Sequence, residues 1–324
     1  MRIRSREEVA RALDMPSCVE AVERAFAAYA TGRAELPGII HLEVPESGGE
    51  IHVKAGHLHG EPYYAVKVAS GFYGLEPPAI DGLVLVFDAR DGRPAALLLD
   101  GGLLTDVRTG AAGGVAARHL APERVGTVAV IGTGAQARFQ LDGLAVARPG
   151  FSLVRVWGRN PEHAERCVRD LRERPGLPEG CRFEVAPGVR EAVEGAEVVI
   201  TCTASRAPLL RAEWIAPGAL VTAVGADGPD KQELEPAVLA RADLLVVDSR
   251  EQCARVGELH HALEAGLVPS AEAAVELGEI CAGLRPGRTS PGQTIVCDLT
   301  GVGVQDVAAA NLVMARLGEA EPEP

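Results

Sequence analysis

Cationic side chains crowd one short stretch of an acidic chain. Residues 49–74, GEIHVKAGHLHGEPYYAVKVASGFYG, carry Lys54 and Lys67 with His52, His57 and His59, whereas the whole 324-residue chain has a formal net charge of -13. Lysine is a point cation with three donors and histidine charges near neutrality, so such a cluster is suited to holding an anion, a carboxylate for example. His52 and Lys54 are two residues apart, and on a strand such residues face the same side. The plainer alternative for this pair is a solvated strand face. His57 and His59, in a glycine-flanked turn, read as surface residues.

A second constellation begins at TVAVIG, an apolar run that leads into Gly132-Thr133-Gly134-Ala135-Gln136-Ala137 and then a helix-like segment. Strand, glycine turn and helix in this order are the dinucleotide fingerprint. Gly132 permits the tight turn, Gly134 lets backbone approach a pyrophosphate, and Ala137 allows close helix packing. The phosphates would then sit on the helix N-terminus. A glycine turn without a ligand is the alternative, but the flanking strand and helix favour an NAD(P) cofactor. The next strand ends VWGRN and offers Arg159 and Asn160 where an acidic residue would bond a ribose 2′-hydroxyl. A guanidinium there pairs with a 2′-phosphate, so the reading leans to NADP(H); stacking on adenine with use of both cofactors is the alternative. Thr203 and Ser205, in TCTAS, border the cofactor at the carboxyl edge of the sheet or cap a loop.

Two scaffolds must position these residues. Residues 5 to 32 are expected to form one helix, since Val9, Leu13, Val19, Val22, Phe26 and Tyr29 recur at helical spacing between a Ser5 cap and a Gly32 stop. From 39 to 100, short apolar or alternating runs separated by Gly and Pro turns, including DARDGRP, predict an antiparallel sheet. A Gly/Ala-rich helix follows from about 105 to 120, closed by Pro122. From 126 the rhythm of apolar strands alternating with helices predicts a doubly wound parallel sheet. The helix near VQDVAAANLVMARL has an apolar face in need of a partner and is expected to return to the first domain. The fold class is therefore α/β, a Rossmann-type sheet at 122–300 with an N-terminal α+β sheet domain made of 1–121 and 301–324. The tail GEAEPEP reads as disordered.

Composition narrows the function. With 45 acidic against 32 basic residues and a pI near 5.2, the chain offers no diffuse positive field for nucleic acid or anionic lipid. No run is long enough for a membrane span, and the charged start MRIRSREEVARALD lacks a signal-peptide core, so a cytoplasmic location is expected. Seven scattered cysteines without a CxxC pair argue against a zinc site and a disulfide framework. His119, His260 and His261 read as helix-surface or capping residues, and no metal is expected.

Three further stretches, AVKV at 65–68, LTDVRTGAA at 104–112 and VGADGPDKQEL at 224–234, resemble motifs of the ornithine cyclodeaminase/mu-crystallin family, in order and in register with GTGAQA over nearly the whole chain. The resemblance implies a homodimer whose sheet domains pair, and an enzyme acting on small amino or imino acids. It implies that Lys67 and Arg108 bind the substrate α-carboxylate and that Asp227 stands beside the reacting nitrogen. The plainer roles are a helix-end salt bridge for Arg108, a snorkelling Lys67 and a turn Asp227. Lys231 and Glu233 read as a helix-start pair. Many relatives carry an arginine shortly after the proline corresponding to Pro37, where this chain reads LPGIIHL. Where the cyclodeaminase pattern has an acidic residue and a methionine, it has His52 and Lys54. Lys54 is therefore expected to replace the missing arginine and, with His52, to hold a carboxylate, the second one of a dicarboxylic substrate.

The expected function is an NAD(P)H-dependent imine reductase or amino-acid dehydrogenase acting on a small acidic substrate, such as iminosuccinate giving aspartate. The alternatives are an ornithine cyclodeaminase using bound NAD+ with no net redox change, a nucleotide-gated ligand-binding protein of the mu-crystallin kind, and a role in ectoine breakdown.

Overall fold

The computed structural model describes residues 1–72, 74–75 and 79–319. The chain divides into two compact units, residues 1–108 with 302–324 and residues 109–301. The acidic tail beyond residue 319 lies outside the described residues.

The first unit opens with strand β1 (Arg2–Ser5), helix α1 (Arg6–Ala12) and helix α2 (Met15–Ala30). The single helix expected over 5–32 is therefore two. Asp14 caps the second by accepting from the Ser17 amide, and Pro16 sits in its first turn, where a missing N–H costs nothing. Ser5 and Glu8 form a reciprocal capping box on α1, and Gly32 ends α2 at φ +68°. Strands β2 (Ala34–Glu35), β3 (Ile39–Val44), β4 (Gly49–Leu58), β5 (Tyr63–Phe72), β6 (Ala79–Asp88) and β7 (Pro94–Leu99) follow, then helix α3 (Leu103–Leu120). The sheet order is β1-β7-β6-β5-β4-β2, with β3 also on β4. All pairs are antiparallel except β1 with β7, so the sheet is mixed. The short charged RIRS carries too little apolar pattern to announce itself as a strand.

The second unit holds β8 (Thr127–Ile131), α4 (Ala135–Ala147), β9 (Leu153–Trp157), α5 (Pro161–Arg172), β10 (Arg182–Val185), α6 (Val189–Val193), β11 (Val198–Thr201) and β12 (Arg206–Leu210). It continues through β13 (Leu220–Ala223), β14 (Gln232–Leu234), α7 (Pro236–Ala240), β15 (Leu244–Val247), α8 (Arg250–Cys253), α9 (Gly257–Glu264), β16 (Val275–Glu276), α10 (Leu277–Cys281) and β17 (Ile295–Asp298). Eight parallel strands run β10-β9-β8-β11-β13-β17-β15-β16, and β12 with β14 forms a separate pair. This is a Rossmann-type doubly wound sheet. Its strand order reverses direction between β8 and β11, the point at which open α/β sheets bind ligands. Near-continuous burial of Val128–Ile131, Val198–Thr201 and Leu220–Ala223 fits central strands covered on both faces.

Helix α11 (Gly303–Glu319) follows β17 and belongs to the first unit, packed against α2, β4 and β5. A Cβ on Gly303 would stand 2.7 Å from the Ala55 carbonyl, and one on Gly56 3.2 Å from Val307, so glycine lets the helix approach the sheet closely. All seven cysteines are free thiols. Among the described residues no helix is long and apolar enough to cross a membrane.

Candidate active site

Alternation along β4 and β5 turns Lys54 and Lys67 toward α11, and the register sets them directly opposite each other. Arg108 comes to the same place from α3. Lys54, Lys67 and Arg108 are at most 5% exposed. Buried cations require an anion. Asp306, in the first turn of α11, supplies one: its Oδ1 accepts from Lys67 Nζ at 3.0 Å and from Arg108 Nε at 2.8 Å. Arg108 Nη1 also donates to Gln305 Oε1 at 2.6 Å.

Charge and burial tune these groups in opposite senses. Desolvation, reinforced by the Arg108 charge and opposed by Asp306, brings the Lys67 ammonium down to about 7. Burial works against the Asp306 anion, but the Arg108, Lys67 and Lys54 charges outweigh it and hold the carboxyl below its ordinary range. The charges of Lys54, Lys67 and Arg108 thus all act on the buried Asp306, and Lys67 acts on the buried Asp100 as well. His52 lies two residues along β4 from Lys54, with its ring 4.8 Å from that of His41, its partner on β3. His59 pairs with Glu35 at 3.1 Å.

In the second unit the glycine loop follows β8 at the reversal point. Gly132 has φ +131°, and a Cβ there would stand 2.7 Å from the Cys202 carbonyl oxygen, so only glycine makes this turn. Gly134 caps α4 without a side-chain bond, and a Cβ on it would meet nothing within 4 Å. The loop therefore presents exposed backbone and a helix N-terminus, as the fit of a dinucleotide pyrophosphate requires. Arg138 braces it from behind, donating to the Thr133 carbonyl at 2.9 Å and the Gly134 carbonyl at 2.8 Å. Gln136 accepts from Gln140 Nε2 at 3.1 Å, and Ala135 is exposed at the helix start. Arg159 is exposed after β9, and Asn160 caps α5 by accepting from the Glu162 amide at 2.9 Å.

Asp227 is paired with Lys231 at 2.7 Å. The helix start expected at Lys231 and Glu233 is not there: Lys231 lies in a turn and Glu233 in strand β14, because the helix begins only at Pro236, where proline favours a first turn. Glu233 is fully buried and ties two loops together. It accepts from Thr203 N at 2.6 Å, Thr203 Oγ1 at 2.7 Å, Thr201 Oγ1 at 2.8 Å and the Gly225 amide at 2.9 Å. Burial, partly offset by these bonds, pushes its carboxyl up to about 7. Ser205 Oγ donates to the Ala207 carbonyl at 2.7 Å, so Thr203 and Ser205 both brace their own loop.

Sequence reasoning singled out neither Asp306 nor Gln305. The signal was present. VGVQDVAAANLV is apolar nearly all round, which marks a buried helix, and a Gln-Asp pair inside one must find partners.

A model of the ornithine cyclodeaminase/mu-crystallin family matches residues 1–321. The chain is 42% identical over 305 residues to an uncharacterized cyclodeaminase of Sinorhizobium fredii, covering 93% of this chain and 91% of that one. It is 32% identical to the iminosuccinate reductase of Paracoccus denitrificans, covering 97% and 96%. The structure of that reductase in complex with NAD+ superposes with a TM-score of 0.85 over 99% of this chain and 97% of that one. Thermococcus litoralis Delta(1)-pyrroline-2-carboxylate reductase, solved with NADH and L-proline, superposes with a TM-score of 0.91 at 29% identity, covering 99% and 98%.

Proposed function

The chain belongs to the ornithine cyclodeaminase/mu-crystallin family, and we propose that it is an NAD(P)H-dependent imine reductase or amino-acid dehydrogenase for a small acidic imino acid, such as iminosuccinate giving aspartate. Relatives named as reductases and a cyclodeaminase support an enzyme. The observation that supports a carboxylate-bearing substrate is the buried grouping of Lys54, Lys67 and Arg108 near Asp306. Such a grouping suits an anionic ligand and disfavours a terminal ammonium such as ornithine's.

In this reading Arg108 and Lys67 hold the α-carboxylate, the guanidinium through directed donors and the ammonium as a point charge. Lys54, with His52 beside it, takes the second carboxylate. Asp227, with Lys231 as counter-ion, holds a proton at the imine nitrogen, because a protonated nitrogen makes the carbon a better hydride acceptor. Bound reduced nicotinamide would supply the hydride. Gly132, Thr133, Gly134, Ala135 and Gln136 would hold its pyrophosphate, and Arg159 would favour a 2′-phosphate and hence NADP(H). Thr203 and Ser205 shape the neighbouring loop. The active form is a homodimer.

The test is oxidation of NADPH and NADH by the purified protein with oxaloacetate, pyruvate or glyoxylate plus ammonia or methylamine, beside ammonia release from ornithine with NAD+. Faster NADPH consumption with oxaloacetate and amine is expected. Ammonia release from ornithine at constant 340 nm absorbance would replace the reductase reading with a cyclodeaminase.

A further inference from the structure

Two buried polar atoms beside the cation cluster have no hydrogen-bond partner among the described residues, Asp306 Oδ2 and Gln305 Nε2. Their side chains are otherwise committed. Asp306 Oδ1 serves Lys67 and Arg108, and Gln305 Oε1 serves Arg108, so both groups converge on one guanidinium. The uncommitted ends are therefore an anionic acceptor and a neutral donor beside the same arginine. A buried polar atom left without a partner is costly, and native proteins keep few of them. Both residues are at most 2% exposed, which leaves a bound ligand as the natural partner.

An α-imino or α-amino acid is the ligand class that completes both. Its nitrogen presents N–H groups next to a carboxylate that presents oxygens. We propose that Gln305 and Asp306 read this head group: Gln305 Nε2 donates to the carboxylate held by Lys67 and Arg108, and Asp306 Oδ2 accepts from the substrate nitrogen. The proposal rests on the imino-acid reading above. It gives Asp306 a specificity role, because a 2-oxo acid would turn a carbonyl oxygen toward the same carboxylate and be repelled. Asp306 thereby separates imine from ketone. It accepts a hydrogen bond as a fixed anion and gives up no proton.

Two near-isosteric variants alter only the uncommitted atoms. Asp306→Asn keeps an oxygen for Lys67 and Arg108 and replaces the free acceptor with a donor. Gln305→Glu keeps the acceptor for Arg108 and replaces the free donor with an acceptor. Calorimetric binding to the full chain saturated with NADP+ would compare L-aspartate with succinate and L-alanine with propionate, each pair differing by the nitrogen. A charge-assisted hydrogen bond predicts that the wild type prefers the amino acid by roughly 10- to 100-fold. Asp306→Asn should bring that preference close to unity while leaving the plain acids bound, and should admit oxaloacetate. Gln305→Glu should weaken both members of each pair. A wild type without preference, or variants that shift affinity only in step with a fall in Tm, would overturn the proposal. Absence of turnover with an intact binding pattern would instead remove the reductase reading and leave this one standing.

Discussion

Burial and the neighbouring Arg108 guanidinium both disfavour a charged Lys67, and Asp306 opposes them, which leaves this ammonium titrating at about 7. A carboxylate ligand needs it protonated. In the free enzyme the charged form therefore disappears as pH rises through about 7, and kcat/KM for the imino acid should fall with it, since that ratio reports free-enzyme pKa values. Lys67→Arg, charged at every accessible pH, should flatten the fall; an unchanged profile would assign it to the substrate imine. Arg108→Ala removes the guanidinium proposed to hold the α-carboxylate and should raise KM about 10- to 100-fold or more while NADPH affinity stays the same, measured by fluorescence titration. Unchanged kinetics would take Arg108 out of the site. Lys54 and Lys67 were legible because lysines clustered with histidines are conspicuous in an acidic chain, and Arg108 through the resemblance carried by LTDVRTGAA. Their counter-ion was not: Asp306 follows Lys67 by 239 residues, and no local pattern joins positions so far apart.

Helices α3 and α4 owe their packing to glycine. A Cβ on Gly143 would overlap the Gly110 carbonyl, one on Gly110 would overlap the Phe139 carbonyl, and one on Gly113 the Gln140 amide. Gly143→Ala should therefore force the helices apart and lower stability by about 1–3 kcal/mol in thermal unfolding. A Tm equal to wild type would mean that the backbone yields freely there. Elsewhere in the second unit, buried carboxylates act as loop fasteners. Asp298 accepts from the Glu258 and Leu259 amides at 2.9 Å, Glu258 from the Glu233 amide at 2.8 Å, and Glu233 from the Thr203 loop. Burial raises Asp298 to about 8 and Glu233 to about 7. A carboxyl raised in the folded state binds more protons folded than unfolded, so its contribution is full below about pH 4 and is lost as pH climbs through 7 to 8. Tm should fall from pH 5 to pH 8, and Asp298→Asn should make the slope shallower; an equal slope in wild type and variant would exclude Asp298 as its source. The parallel strands β8, β11, β13, β15 and β17 were legible because they are mostly apolar runs, whereas β12 and the two-residue β16 were not read. The break in the first helix was hidden because Val9, Leu13 and Val19 keep a helical period across it, and β14 because three residues are too few for a period.

At the scale of the whole molecule, the sheet of the first unit exposes large apolar side chains on one face. Helices α2 and α11 take the face that carries Lys54 and Lys67. Strand register places Ile3, Ile40, Leu42, Val68, Leu83 and Leu99 together on the other. Ile3 is 61% exposed, Ile40 58%, Leu42 51% and Leu99 45%. These residues span five of the seven strands, and the proposed homodimer would bury them, since a second copy of the chain offers the same self-complementary face. The proposed homodimer should run in light scattering at twice the 33.9 kDa chain mass. Because each copy carries a formal charge of -13, repulsion opposes association, and salt should strengthen the dimer by screening it. A dimer held chiefly by ion pairs would respond in the opposite sense. Ile40→Asp with Leu42→Asp would bury four carboxylates per dimer, so the double variant should run as a monomer with its far-UV spectrum intact. A wild type at the single-chain mass, or a variant that remains dimeric, would mean that this face is not the contact.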